Sequence, residues 1–450
     1  MTSAAARPGP VDPAQFGNAL AACLPAAGPP VGLAVACSGG PDSLALALLA
    51  RDWAQARGAP LKAFIVDHGL RPEAAAEAES VRARLERARV SAAVLRDPGA
   101  APPASDVQGW ARRLRYRLLL AACAEAGLGV LALAHHLEDQ AETFLLRLAR
   151  GSGVDGLAAM APALDWGGVR VVRPLLDIPK ARLTATVAAA GLQSVDDPSN
   201  CDPRFARVRV RERADDLAAL GLTPRRLADT AGRMARARAA LEGEAARLVD
   251  AAAAFDAAGF ATLDREALLR APEEIGLRAL AGLIRRVGGQ VYPPRLERLE
   301  RLYGALGAGS IGGGRTLAGV RIAPRRDGRL LIHREPAQVT ERAALAPQLL
   351  WDGRFALRFA CADPRLEVRA LGRDGWSHLR RRNPAAARAG AALPGPVRLC
   401  LPAVWRREEP LAAGEAAAEP LGAPHLAPPV DCPAVLALRF AGPEAVRVNC

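Results

Sequence analysis

At 450 residues the chain exceeds the size at which one hydrophobic core usually stops growing, so two or three domains are expected. The hydrophobic fraction is 50%, much of it alanine, and no stretch approaches the apolar run of ~20 residues that crosses a bilayer, so a soluble rather than membrane-bound protein is expected. Lys plus Arg number 60 against 47 Asp plus Glu, a net charge of +13, which favours a polyanionic partner; nucleic acid leads, with an arginine- and alanine-rich coding bias as the ordinary explanation.

The first 29 residues carry prolines where a signal peptide needs an unbroken apolar region, so they are expected to form a loose leader on a cytoplasmic protein. Eight cysteines stand at 23, 37, 123, 201, 361, 400, 432 and 450 without a Cys-x-x-Cys pair, which predicts reduced, mostly buried thiols.

From residue 31 short apolar runs alternate with amphipathic stretches. VGLAVAC, LKAFIVDH, SAAVLR and GVLALAH read as strands; LALALLARDWAQAR, EAAAEAESVRARLERA, GWARRLRYRLLLAACAEAG and LEDQAETFLLRLAR read as helices. This alternation predicts an α/β fold with a parallel sheet covered on both faces. Ligands of such sheets sit beyond the C-terminal ends of the strands. After about residue 217 long Ala- and Arg-rich helices follow, one with Thr223 as N-cap and Pro224 at its first position. GGGRTLAGVRIAPRRDGRLLIHRE reads as glycine turns between short strands, and RFALRFACA and LEVRAL alternate again beyond Pro336. Residues 411–430 read as a loose loop. The expected partition is a catalytic domain 1–217, a helical domain 218–337 and a small β-containing domain 338–450.

The first strand runs into Ser38-Gly39-Gly40-Pro41-Asp42-Ser43, with a helix expected from about Leu44. Two glycines allow close approach of backbone amides to phosphate oxygens, Ser38 and Ser43 add hydroxyls, and a helix N-terminus favours an anion. Asp42 is the odd member, because a carboxylate beside phosphates repels them unless a divalent cation lies between; Asp42 is therefore assigned to Mg²⁺. The Gly-Lys-Ser/Thr ending of a Walker loop is absent.

Ser-Gly-Gly-x-Asp-Ser after a first strand resembles the PP-loop ATP pyrophosphatases, with their adenine nucleotide α-hydrolase-like fold. The stretches IVDHGLRPEAAAEAESV, GWARRLRY, AHHLEDQAETFLLRLARGSGVDGLAAM, RPLLDIPKARL and DDPSNCDPRFARVRVR, in order between residues 31 and 211, closely resemble the bacterial tRNA(Ile)-lysidine synthetases. The second half is similar more weakly, through Arg334-Glu335-Pro336 and LPGPVRLCLPAVWRREEPL. The resemblance implies ATP-driven transfer of AMP to the C2 oxygen of the wobble cytidine of tRNA(Ile) with a CAU anticodon. The side-chain amine of free L-lysine then displaces AMP, and pyrophosphate is the other product.

His135, His136, Glu138, Asp139 and Glu142 follow the fourth strand. Asp139 and Glu142 share a helix face, with Leu145 and Leu148 expected on its buried side. These two carboxylates can hold lysine, bind a second cation or take a proton from the attacking amine; lysine binding with one carboxylate assisting deprotonation is favoured, against simple N-terminal capping. Of the two histidines one is expected to pack or hydrogen-bond structurally, with a metal site built from the pair as the lesser alternative. Arg112 and Arg115 are candidates to face the phosphates. Arg147 and Arg150 lead into the turn Gly151-Ser152-Gly153, a candidate closure over substrate. Asp197-Pro198-Ser199-Asn200 reads as a turn, followed by Arg207, a candidate for ATP, and Arg211, a candidate for tRNA. The family pattern Arg-Asn-x-Ile-Arg has Val208 here at its asparagine position. Arg225, Arg226, Arg233, Arg236 and Arg380 to Arg382 provide basic surface for tRNA, Arg225, Arg380 and Arg381 foremost. With 4% aromatic residues, no base-contacting side chain stands out, and no obligatory protein partner is inferred.

Three rival readings fit the sequence less well. A PP-loop thiolase commonly uses paired cysteines, absent here; a small-metabolite amidotransferase does not need a basic second half; and a non-catalytic RNA-binding module does not need an intact phosphate loop.

Overall fold

The computed structural model describes residues 8–25, 32–70, 73–194, 206–359, 362–382, 384–406, 420–422 and 435–440. The turn expected at Asp197 to Asn200 and most of the loop expected at 411–430 lie outside them. The chain divides into two compact units, with the division inside a long helix between Arg238 and Ala239.

The first unit opens with α1 (Pro13–Cys23), followed by β1 (Leu33–Ala36), α2 (Pro41–Arg57), β2 (Leu61–Val66), α3 (Ala74–Arg87), β3 (Ala92–Leu95), α4 (Val107–Glu125), β4 (Val130–Ala132) and α5 (Leu137–Leu148). Then come α6 (Val154–Leu157), β5 (Ala163–Trp166), β6 (Val169–Val172), α7 (Lys180–Ala189), α8 (Ala206–Glu212), α9 (Ala214–Ala219) and the long α10 (Pro224–Ala252). The six strands lie in the order β3-β2-β1-β4-β6-β5. All neighbours are parallel except β5, which returns antiparallel along β6.

Alternate residues of each strand face opposite layers, as the pleat requires. Leu33, Val35, Ala63 and Ile65 pack with Phe16, Leu20, Leu44, Ala47, Val81, Leu85 and Leu183, side chains of α1, α2, α3 and α7. Ala34, Phe64 and Leu131 pack on the other side with Tyr116, Leu119 and Cys123 of α4. Both faces are therefore dry, and polar side chains that follow β1, β2, β4 and β6 emerge together at one end of the sheet. Cys23, Cys37, Cys123 and Cys400 are free and buried.

The leader expected at residues 1–29 is corrected by α1. Asp12 caps it by accepting a hydrogen bond from the Ala14 amide at 2.8 Å, Pro13 supplies its first position, and Phe16 and Leu20 are fully buried. Thr223 caps α10 as expected, its Oγ1 accepting from the Arg226 amide at 3.4 Å.

The second unit begins within α10 and continues through β7 (Ala253–Asp256), β8 (Phe260–Leu263), α11 (Arg265–Arg270), α12 (Glu273–Gly288), α13 (Leu296–Gly307), β9 (Arg315–Leu317), β10 (Val320–Pro324) and β11 (Leu330–Arg334). After β12 (Ala343–Leu345), β13 (Gln348–Trp351), β14 (Phe355–Phe359) and β15 (Asp363–Ala370) come α14 (Gly372–Arg382), α15 (Pro384–Ala391), α16 (Gly395–Leu399), β16 (Pro402–Arg406), β17 (Pro420–Gly422) and β18 (Val435–Phe440). An antiparallel sheet β7-β8-β11-β10-β9 packs α12 and α13 against one core. Phe260 of β8 joins Trp351, Phe355, Val368 and Val404 in another.

A buried ion cluster ties residues on either side of position 338. Asp352 Oδ1 lies 3.1 Å from Arg334 Nη2, and its Oδ2 lies 2.6 Å from Arg354 Nε. These side chains are 7%, 8% and 1% exposed. The carbonyls of Gly319, Gln338 and Cys400 take further guanidinium protons, so the cluster is hydrogen-bonded throughout. Among the described residues no helix is long and apolar enough to cross a membrane.

Candidate active site

The loop after β1 is built around one hydroxyl. Ser43 Oγ accepts from the Ser38 amide at 3.1 Å, lies 3.3 Å from Ser38 Oγ and donates to the Gly40 carbonyl at 3.0 Å. Ser43 is buried, so its hydroxyl shapes the loop from within while Ser38 faces outward. Gly39 takes a left-handed φ of 86°, which a side chain would strain. The helix begins at Pro41 rather than near Leu44: Gly40 is extended and caps it, and the first helical bond runs from the Leu44 amide to the Gly40 carbonyl. Asp42 and Ser43 thus lie in the first turn, where amides lack intrahelical acceptors and the helix dipole favours an anion.

Asp42 Oδ1 is buried without a hydrogen-bond partner. Such an orphaned carboxylate oxygen beside a phosphate loop is a fitting ligand for a hard divalent cation. Among the described residues no group of three or more His, Cys, Asp and Glu side chains forms a ready cage.

His136 joins this loop to α5. Its Nε2 lies 3.6 Å from Asp42 Oδ2 and 3.5 Å from Asp139 Oδ2, and its Nδ1 lies 2.9 Å from Glu138 Oε2. Burial disfavours the imidazolium, but hydrogen bonding with Asp42 and Glu138 and the charge of Asp139 outweigh it and raise the pKa to about 9. His136 is a cation at neutral pH among three carboxylates. Glu138, whose pKa is lowered by the His136 contact against the effect of burial, also accepts from the Lys180 amide at 2.9 Å.

The neighbouring His135 has the opposite environment. Burial first, then the charges of Arg173, Arg207 and Arg112, lower its pKa to about 3, against a raising effect of Asp139. It is neutral, and its Nδ1 is buried without a partner. Arg173, at the end of β6, is itself buried and donates from Nη1 to the Ala161 carbonyl at 2.8 Å. Arg112 is exposed, with its guanidinium 5.1 Å from the Tyr116 ring centroid. Arg115 turns instead to His68 at the end of β2, with Nη2 and Nε2 3.2 Å apart.

On α5 Asp139 does two things: Oδ2 accepts from the His136 amide at 3.1 Å, capping the helix, and Oδ1 faces the arginines of α8. Glu142 is buried and forked by Arg211, with Nε to Oε1 at 2.5 Å and Nη2 to Oε2 at 3.2 Å. Arg207 Nη1 stands 3.9 Å from Asp139 Oδ1, and its Nη2 donates to Thr143 Oγ1 at 3.4 Å. Val208, at the family's asparagine position, is buried between these two arginines of α8.

The buried side of α5 is corrected. Ala141 and Phe144 form it, with Leu145 only partly covered, against Ala159 of the following turn and Leu227 and Ala231 of α10; Leu148 is 50% exposed. Arg147 donates from Nη1 to the carbonyls of Gly156 and Ala159 at 3.0 and 2.9 Å, bracing the turn at Gly151 to Gly153, while Arg150 is exposed. Arg225 is exposed and pairs with Asp229 at 3.0 Å; Arg380 and Arg381 are exposed on α14 in the second unit.

One end of the first sheet thus brings together Ser38 to Ser43, Arg112, Asp139, Glu142, Arg207 and Arg211. His136 and Glu138, named above without a catalytic role, join them, as do His68 and Arg173, which spacing did not single out. Their common signal is position: each follows a strand that ends at this edge.

Residues 19–216 match the model of the PP-loop domain family, an ATP-binding family. The tRNA(Ile)-lysidine synthase of Methylobacterium sp. (strain 4-46) is 44% identical over 335 residues, covering 73% of this chain and 96% of that protein. That of Methylobacterium nodulans is 46% identical, covering 70% and 92%, and that of Rhodopseudomonas palustris is 46% identical, covering 61% and 80%. Among solved structures, a U34-tRNA thiolase from Methanococcus maripaludis is 18% identical over 50% of this chain and 79% of its own, with a TM-score of 0.42. With relatives this similar along nearly their whole length, the chain belongs to the tRNA(Ile)-lysidine synthase family.

Proposed function

We propose that the first unit adenylates the C2 oxygen of the wobble cytidine in a CAU anticodon and then exchanges AMP for L-lysine. The observation that carries this reading is the junction at His136, which ties Asp42 of the phosphate loop to Glu138 and Asp139 of α5. Phosphate chemistry and amine chemistry are thereby held in one site.

In the first step the cytidine O2 attacks the α-phosphorus of ATP and the α–β bond breaks, releasing pyrophosphate. The amides at the start of α2, the glycines Gly39 and Gly40 after Ser38, and the loop braced by Ser43 and Pro41 receive the departing phosphates. Asp42 would hold Mg²⁺, which when bound supplies positive charge against those phosphates. Arg112 and Arg207 add cationic charge at the adenylyl group. In the second step the lysine side-chain amine attacks C2, the C2–O2 bond breaks, and AMP leaves with that oxygen. Asp139 and Glu142 hold the lysine, and one of the two takes the proton the amine gives up. Arg150, Arg225, Arg380 and Arg381 offer charge to the tRNA backbone, and Arg147 shapes the turn that presents Arg150. A cytoplasmic location follows from such a substrate.

The test is incubation of the purified protein with ATP, Mg²⁺, lysine and a tRNA(Ile) transcript bearing CAU, followed by nucleoside mass analysis and a pyrophosphate assay. A lysine-dependent mass gain on the wobble cytidine with pyrophosphate release is expected. Pyrophosphate release without that product would move the acceptor elsewhere.

A further inference from the structure

The two carboxylates assigned to lysine are already occupied by a cation of the chain itself. One guanidinium spans both: Arg211 forks Glu142 through Nε and Nη2, and the same Nη2 lies 3.6 Å from Asp139 Oδ1. The Glu142 side chain is only 6% exposed and that of Asp139 11%, whereas that of Arg211 is 39% exposed. A buried carboxylate needs a partner, and leaving Glu142 bare in the free protein would be strongly unfavourable. Arg211 supplies that partner. Its outer edge nonetheless faces water, so it can leave without carrying its charge through the core.

Two full cations cannot share Glu142 cheaply. Two like charges at such short range in a half-dry site repel strongly. Lysine therefore enters by exchange, one cation for another, and the exchange needs a second anion to receive the guanidinium. The planar fork of arginine suits phosphate as well as it suits carboxylate, and the substrate tRNA brings phosphates.

Resting on the lysine-binding reading of Asp139 and Glu142, we infer that Arg211 keeps the lysine seat closed until tRNA draws its guanidinium onto a phosphate. It is a specificity-determining residue that makes lysine binding follow tRNA binding. The neighbouring Arg207, whose ionic contact with Asp139 is 3.9 Å and which also donates to Thr143, keeps α8 on α5 during the exchange.

The test measures lysine affinity by calorimetry on the full chain with a non-hydrolysable ATP analogue, with and without tRNA(Ile). In the unaltered protein tRNA should tighten lysine binding roughly tenfold or more, the range set by one charged hydrogen-bonded pair. Arg211→Gln should bind lysine that tightly without tRNA and gain nothing further from it. Arg211→Lys keeps a cation beside Glu142 and so guards against misfolding; lacking the fork, it should shift the same way by less. Weaker or unchanged lysine binding in both variants, or no effect of tRNA on the unaltered protein, overturns the inference. Glu142→Gln separates the two failures. If it loses lysine in the presence of tRNA while Arg211→Gln gains nothing, the gate alone is wrong; if it binds lysine normally, the carboxylate reading falls with it.

Discussion

Replacing His136 by Asn tests the junction on which the site depends. Asn fills similar space but removes a cation that stands 2.9 Å from Glu138, 3.5 Å from Asp139 and 3.6 Å from Asp42. Three carboxylates are then left facing one another, and Asp42 loses the group that fixes its direction. A unit-charge pair at 3.6 Å is worth roughly 4–5 kcal/mol gross at an effective dielectric of 20, of which water and rearrangement return a large part. A net loss of about 2 kcal/mol, the usual scale of a hydrogen bond to a charged group, corresponds to roughly 30-fold in rate if it falls on the adenylation transition state. The assay is pyrophosphate release with tRNA present and lysine omitted, so that only the first step is read. Because His136 is the cation beside Asp42 and its removal leaves three carboxylates facing the site, the Mg²⁺ concentration for half-maximal release should shift as well, which a general loosening of the fold would not produce at constant melting temperature. A loss under about threefold with unchanged Mg²⁺ dependence would refute the positioning role.

Asp42→Ala should abolish pyrophosphate release while tRNA affinity stays unchanged in a filter-binding assay; full activity would remove Asp42 as the cation ligand. Asp139→Ala should raise the lysine requirement or stop the second step while adenylated tRNA still accumulates. Because Asp139 also caps α5, a stability loss of about 1 kcal/mol belongs to the cap, and failure to form the adenylate would place the residue earlier in the reaction. His68 and His135, whose pKa values burial lowers to about 4 and about 3, stay neutral when folded and protonate near 6.5 when unfolded, so their contribution is complete above pH 6.5 and is lost as pH falls below it. His136, raised to about 9, opposes this only slightly between pH 6.5 and 5, because it is protonated in the folded state throughout. Urea unfolding of the first unit should therefore weaken by on the order of 2 kcal/mol across that interval, and a flat profile would contradict the burial of the two histidines. Asp352→Ala strands two buried guanidinia and should cost the second unit about 3–5 kcal/mol in a denaturant melt; a change under about 1 kcal/mol would show the cluster to be dispensable.

The catalytic unit was legible because a sheet covered on both faces writes itself into the chain as apolar runs between amphipathic helices. Val35 and Ile65 serve one layer and Ala34 and Phe64 the other, so the buried centre of each strand is apolar and Lys62 stands only at the half-buried start of β2. What escaped did so for local reasons. The prolines near the N-terminus masked α1, although Asp12-Pro13 is itself a helix-start signal that outweighs them. The hairpin of β5 and β6 is four residues a side around Gly167 and Gly168, too short for alternation to stand out, and β7 and β8 are equally brief. Trp351, Phe355 and Val404 share a core with Phe260, a long-range association that no local pattern carries.

The site itself was legible in its carboxylates and not in its charge balance, because charge balance is a property of what converges. The pair His135-His136 shows why. Two identical side chains, adjacent in the chain, are pushed in opposite directions, one toward neutrality by burial first and then by Arg173, Arg207 and Arg112, the other, against its burial, toward the cation by Asp42, Glu138 and Asp139. The extended backbone at His136, with φ −123° and ψ −173°, separates successive side chains, so the dipeptide marks a boundary between a cationic side and an anionic side of one site. A reaction that joins a polyanion to an amine needs both sides, arginine charge where phosphate is handled and carboxylate where the amine is held. Four of those six neighbours lie between 23 and 94 positions away in the chain, and Glu138 and Asp139 stand beside His136 in the first turn of α5. Spacing finds the histidines; only the fold tells them apart.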